Sequence, residues 1–344
     1  MNVNIQWYSE QMNTLGGKKM KAIIVKQPGG ADQLVITKLP KPEPINDEIL
    51  IKVKAAAINR TDIINRQSSS GYLDNPILGV EVAGIVEQAG VNTNLEPGMR
   101  VMGLVNGGGY AEYAVMPADR AIVMPGNLSF EQAAAIPEVF LTAYQTLYWH
   151  GRLAENETVL IHAAGSGVGT AAIQLAKQIS NAKILTTAGT QEKLDFAKTL
   201  GADFCINYKE QNFDEEVLKA TNGLGVNVIL DFVGASFWQQ NLNSISVDGR
   251  WVLIGLLGGA KIEKLNMWEL MSKRIQLTGT LLTPRSDQYK ADLTKEFISN
   301  TLQLFKDEKV IPIVDSVFTF EEISQAHERM ENNENIGKII IRVE

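Results

Sequence analysis

The chain has 344 residues, enough for two domains that each bury a core. Apolar residues make up 45% and charged residues 21%, the composition of a soluble globular enzyme. A net charge of -7 and a pI near 5.3 argue against nucleic acid as the partner; the single cysteine excludes an intramolecular disulfide and suits a reducing, cytoplasmic setting; and no apolar run reaches the roughly 18 residues of a membrane span.

Residues 1–19 are polar and lack the apolar stretch of a secretory signal, so they read as a poorly ordered leader before a folded unit that starts at Met20. From Met20 to about Pro125 short runs of strand composition alternate with turn residues: Lys21 to Lys26, Leu34 to Leu39, Glu48 to Ala56, Gly79 to Val86, Arg100 to Val105 and Tyr110 to Met116. No helical period is expected before Ser129, where a helix begins that Pro137 interrupts. A regular alternation follows. Strand Val159 to Ile161 leads to helix Val168 to Ile179, strand Lys183 to Thr187 to helix Gln191 to Leu200, and strand Phe204 to Asn207 to helix Phe213 to Ala220. Strand Val226 to Phe232 then leads to helix Phe237 to Ile245, strand Arg250 to Ile254 closes the series, and Ile275 to Leu281 adds an edge strand. Repeated β-α units with short loops imply a parallel sheet covered on both faces and wound in both directions. A helix from Tyr289 to Phe305, a strand at Ile313 to Phe318, a helix from Phe320 to Met330 and a strand at Lys338 to Val343 end the chain.

The most informative stretch is Thr158 to Lys177. An apolar strand runs into small residues (Ala163, Ala164, Gly165, Ser166, Gly167, Val168, Gly169) and then into a helix. Unpaired N–H groups at such a helix start, at Ser166, Gly167 and Val168, face a pyrophosphate, and small side chains let it come close. The literal G-x-G-x-x-G is absent, since Ala164 and Ser166 occupy its first two glycine positions ahead of Gly169. An NAD-binding sheet carries an acid at the end of its second strand for the ribose hydroxyls. Here that strand ends Thr186-Thr187-Ala188-Gly189-Thr190, with Lys193 one helical turn on and Tyr208 after the third strand. Gly189 and Thr190 offer N–H and hydroxyl groups and Lys193 an ammonium, a set that favours the 2′-phosphate of NADPH.

The three histidines (His150, His162, His327) are far apart and have no cysteine nearby, so neither structural nor catalytic zinc is expected. His162 reads as a packed strand-end histidine, and Cys205 as an inert residue of a buried strand.

Several segments together carry a resemblance: Ala56 to Asp62, Gly79 to Gly84, Ala133 to Pro137, the loop around Ser166, Thr187 to Lys193, Asn207-Tyr208, Asp231 to Gly234 and Asn335 to Lys338. With these the chain resembles the medium-chain dehydrogenase/reductase superfamily, in its zinc-free quinone oxidoreductase (zeta-crystallin-like) branch. Asn59 stands where zinc-dependent members place a ligand cysteine, and Val80 where they place a histidine. The resemblance implies an α/β fold: a doubly wound parallel Rossmann sheet (138–282) inserted in a chaperonin-10-like β-barrel catalytic domain (20–137 and 283–344). It implies that Thr142, Phe232, Leu256 and Asn335 line the nicotinamide or its ribose, and that Asn59 and Tyr72 face the substrate cleft, with Tyr72 as proton donor or carbonyl hydrogen-bonder. It also implies a homodimer paired through the edge strand.

Without a Lewis acid, alcohol oxidation is disfavoured and hydride transfer to a quinone-type acceptor is the expected reaction. An enoyl or 2-alkenal reductase is the rival within the same class. An NADPH-loaded protein with a crystallin-like or RNA-associated role and little turnover is the alternative outside it.

Overall fold

The computed structural model describes residues 18–68, 73 and 75–343. Residues 1–17, which make up most of the expected leader, and Tyr72 lie outside the described residues. The chain divides into two compact units. One combines the chain up to Glu138 with everything from Leu282 on, and the other is Val139–Leu281.

In chain order the strands are β1 (Lys19–Val25), β2 (Leu34–Pro40), β3 (Glu48–Ala57), β4 (Glu81–Ala89), β5 (Arg100–Leu104), β6 (Tyr113–Pro117) and β7 (Ile122–Val123), then β8 (Thr158–Ile161), β9 (Lys183–Ala188), β10 (Phe204–Asn207), β11 (Val226–Asp231), β12 (Ile245–Leu253) and β13 (Gln276–Gly279), and last β14 (Val314–Thr319) and β15 (Lys338–Arg342).

In the first unit β1 and β2 form an antiparallel pair, and seven strands make a second sheet in the order β14-β15-β3-β4-β5-β7, with β6 also on β3. The C-terminal strand β15 pairs antiparallel with β3, Ile341 opposite Ala56, so the end of the chain completes a sheet begun some 280 residues earlier. Ile23, Ile51, Val82, Val101, Met116 and Ile339 meet in its core.

The second unit holds a six-stranded sheet, all parallel, in the order β10-β9-β8-β11-β12-β13. Its strand order reverses between β8 and β11, and ligands of such sheets bind outside the carboxyl ends of the strands at that reversal. β8 is an apolar run because both its faces are covered. Leu160, Leu185, Ile229 and Trp251 bury on one core with Phe213 and Leu242. β13 is an edge strand, as expected, and β10 forms the other edge.

Three elements differ from the sequence expectations. A helix spans Arg60–Gln67, ahead of Ser129. Its buried side chains are Asp62, Ile63 and Arg66, so the face it presents to the core is mostly polar and carries no apolar period to read. A short helix, Met267–Ser272, buries no residue at all. β12 starts at Ile245, five residues early, because the pairing with β11 shifts register between Val226 and Val228. Cys205 is only half-buried, with its thiol pushed up by burial.

Candidate functional site

The loop between β8 and the helix Gly167–Ser180 is built from local rules. Ser166 is extended and caps the helix, its hydroxyl accepting from the Gly169 N–H at 2.9 Å. That leaves the hydroxyl hydrogen available to donate. Ala163 takes the left-handed region, φ 54°. A side chain at Gly169 would run into the Ala163 carbonyl, so this glycine lets the helix approach the strand end. Gly167 and Val168 open the helix, where backbone N–H groups lack partners along the chain.

At the end of β9, Thr190 caps the helix Gln191–Thr199. A methyl group on Gly189 would meet the Tyr208 hydroxyl at 2.8 Å and Lys209 Cε at 2.9 Å. One on Gly165 would meet Lys193 Cδ at 2.8 Å and Cγ at 2.9 Å. The two glycines are therefore the places where the stems of Lys193 and Lys209 and the ring of Tyr208 lie against backbone. Lys209 was not singled out from sequence. A lysine after a strand is common, and only its contact with Gly189 distinguishes this one. No carboxylate stands among residues 186–191 at this strand end.

Below the loop lies a buried polar network. The Thr187 hydroxyl and His162 Nδ1 are 2.8 Å apart, and His162 Nε2 is 2.7 Å from Asn241 Oδ1. Asn241 Nδ2 donates to Asp231 Oδ2 at 3.1 Å, which also accepts from Trp251 Nε1 at 3.0 Å. Asp231 Oδ1 accepts the N–H groups of Val233 and Gly234. Since the Asn241 oxygen only accepts, His162 carries its proton on Nε2 and takes one from Thr187 on Nδ1. Burial holds its pKa below the usual range, consistent with a neutral ring. The network ties together the ends of β8, β9, β11 and β12 and turns the backbone at Val233 and Gly234. His162 is thus a packed strand-end histidine that positions the strand ends around the loop. Of the remaining expected residues of this unit, Phe232 and Thr142 are buried, and Leu256 is exposed beside Gly234.

A second network occupies the first unit. Lys338 Nζ donates to Asn59 Oδ1 (2.6 Å), the Ile58 carbonyl (2.8 Å) and Glu81 Oε1 (2.8 Å). Asn59 Nδ2 donates to the same Glu81 oxygen at 2.8 Å, and Glu81 Oε2 accepts the Glu138 N–H at 2.8 Å. All of Asn59, Glu81 and Lys338 are buried. The Asn59 amide, expected to face a substrate, is engaged here with Lys338 and Glu81. Among the described residues no three His, Cys, Asp or Glu side chains come together to hold an ion. Asn335 donates to the Gly337 carbonyl at 2.7 Å, bracing the turn before Lys338. Sequence reading gave a role in this network to Asn59 alone and missed Glu81, Lys338 and Glu138 as functional residues. Burial first, and the Glu81 charge second, push the Glu138 carboxyl up to about 8. The helix start at Pro137 works the other way but contributes only about 0.3–1 kcal/mol.

The same unit buries a chain of four polar groups. Arg66 Nη1 donates to His327 Nδ1 at 3.2 Å, so the ring proton sits on Nε2, 3.3 Å from the Tyr110 hydroxyl. Tyr110 donates to Asp62 Oδ2 at 3.1 Å, and Asp62 also accepts from Asn59 N and Gly79 N. Burial and the Arg66 charge hold His327 down to about 3, while burial raises Asp62 to about 6. The unfolded chain takes up a histidine proton near 6.5 that the folded protein refuses until about 3, so stability falls as pH drops through that window. Asp62 acts in the opposite sense between 3.8 and 6, with a smaller shift. His327→Gln, which keeps one donor and one acceptor, is expected to flatten the loss of melting temperature between pH 6.5 and 4. A variant as acid-labile as the parent, followed by near-ultraviolet circular dichroism, contradicts the assignment.

The alcohol dehydrogenase GroES-like domain family matches residues 45–126, and the zinc-binding dehydrogenase family matches residues 167–299. The chain is 31% identical to the mouse synaptic vesicle membrane protein VAT-1 homolog-like, over 95% of this chain and 82% of that one. It is 30% identical to human quinone oxidoreductase, over 95% and 98%. Similar solved structures include an NAD-dependent alcohol dehydrogenase (TM-score 0.85, 30% identity, 94% and 100% coverage) and a mycobacterial protein complexed with NADPH (0.85, 27%, 94% and 100%). The CurK enoyl reductase is also similar (0.82, 26%, 94% and 99%). No helix among the described residues is long and apolar enough to cross a membrane.

Proposed function

Given that the chain belongs to the medium-chain dehydrogenase/reductase superfamily, in its quinone-oxidoreductase-like branch, and is an oxidoreductase working with a nicotinamide cofactor, we propose that its reductant is NADPH and its acceptor a quinone-type compound. The observation that carries the cofactor choice is the end of β9: no acid, with the stems of Lys193 and Lys209 laid over Gly165 and Gly189. Ser166, Gly167 and Val168 would hold the pyrophosphate, and Gly189, Thr190, Lys193, Lys209 and Tyr208 the phosphorylated ribose. Thr142, Phe232, Leu256 and Asn335 keep the place at the nicotinamide that the family resemblance suggests. The cofactor supplies the hydride. The protein supplies orientation, dryness and hydrogen-bond donors, which suffice for an acceptor whose product charge is delocalised. Zinc independence belongs to this reading, because Lys338 and Glu81 form an ion pair beside Asn59.

A reductase of conjugated carbonyl compounds is the second reading, favoured by Glu138, a carboxyl that keeps its proton at neutral pH. The test is NADPH oxidation with ortho- and para-quinones, 2-alkenals and enones side by side. Turnover with quinones far above alkenals supports the first reading, and the reverse order supports the second. Tight NADPH binding with no turnover of any acceptor contradicts both.

A further inference from the structure

We propose that Glu138 is the proton donor of the reaction, its carboxyl delivering a proton to the acceptor as the acceptor is reduced. The inference rests on the reading of the protein as an NADPH-dependent reductase. Glu138 is the second residue of the helix Pro137–Tyr144. Its backbone is pinned by the 2.8 Å bond to Glu81 Oε2. Glu81 is itself fixed on its other oxygen by Lys338 and Asn59. The Glu138 carboxyl, in contrast, makes no hydrogen bond to any described residue, and the residue as a whole is half-buried. It is the open end of an otherwise closed network. Thr142 lies four residues on and therefore on the same helix face, about 6 Å further along the axis. That places the carboxyl one turn from the residue proposed to meet the nicotinamide.

The charged groups around it are Glu81 and Asp62, which favour the protonated form, and Lys338 and Lys290, which favour the ionised form. Burial and Glu81 prevail, so the group titrates near 8 and carries its proton at neutral pH. A general acid is most effective when its pKa lies near the working pH. Glu81 is tied on one oxygen to Lys338 and Asn59 and on the other to the Glu138 N–H, whereas the Glu138 carboxyl is not tied, so the two adjacent carboxyls have separate roles. In the step, the acceptor gains one hydrogen with both electrons as hydride from the reduced nicotinamide, which is oxidised. The Glu138 O–H bond breaks, a new bond to hydrogen forms on the acceptor, and the carboxylate left behind recovers a proton from solvent.

Two measurements test this. Infrared difference titration of the unliganded protein is expected to show a carboxylic acid band that disappears as pH rises through about 8 and is missing in Glu138→Gln. No band with its midpoint near 8 in the parent, or such a band surviving in the variant, overturns the proposal without any need for turnover; the Asp62 carboxyl, which titrates near 6, contributes a separate band to both proteins. With an enone or 2-alkenal and saturating NADPH, kcat/KM of the parent is expected to fall above pH 8. Glu138→Gln is expected to lose roughly 10²-fold in kcat with little change in KM, and to lose the pH limb as well. Equal rates and an unchanged limb in the variant overturn the proposal while leaving the reductase reading intact. No turnover of any acceptor by the parent removes that reading, and the proposal with it. If the variant fails to fold, the titration of the parent still decides.

Discussion

Lys338→Met is expected to lower the melting temperature by roughly 6–20 °C, from a loss of about 3–5 kcal/mol. The lysine is buried in β15 and gives its three donors to Glu81, Asn59 and the Ile58 carbonyl. Methionine matches its stem but leaves the Glu81 carboxylate without a cation, next to the Glu138 carboxyl. The cost is that of an unpaired buried charge, which exceeds the net value of the pair itself. The double variant Lys338→Met, Glu81→Gln is therefore expected to recover part of the loss, because the amide needs no counter-ion. Thermal unfolding followed by circular dichroism decides. A shift below about 2 °C in the single variant, or no recovery in the double, means that the network does not hold the sheet as described.

Lys193→Ala is expected to weaken NADPH about 10- to 100-fold and to leave NADH nearly unchanged. A hydrogen bond to a charged group is worth about 1.5–3 kcal/mol, and only NADPH carries the phosphate that would receive it. Lys209→Ala should act in the same direction, since its stem lies against Gly189 as that of Lys193 lies against Gly165. Equal losses for both cofactors, measured by quenching of intrinsic fluorescence, would show that Lys193 supports the helix Gln191–Thr199 and not a phosphate.

The nucleotide half of the molecule was readable in advance because its signals are local. A strand, a small-residue turn and a capped helix occupy consecutive positions from Thr158 to Ser180, and the missing acid at the end of β9 is visible in five residues. The second network could not be read the same way. Glu81, Glu138 and Lys338 are single charges in otherwise apolar runs, separated by up to 257 positions, and only the return of β15 to β3 brings the first and last together. The helix Arg60–Gln67 was missed for a related reason. Arg66 and Asp62 are buried by pairing with His327 and Tyr110, so the inward face looks like a solvated one in the sequence. The role of His162 was half legible. Its packing follows from its place at the end of β8, but its tautomer depends on Asn241, 79 residues away.

The central claim is electrostatic: the end of β9 offers ammonium groups and no carboxylate to the adenosine ribose. Equilibrium titration of the unmodified protein with NADPH and with NADH, at one ionic strength, addresses it most directly. NADPH bound at least tenfold more tightly, with a preference that shrinks as salt is raised, is the predicted result. Equal affinities, or tighter binding of NADH, would contradict it.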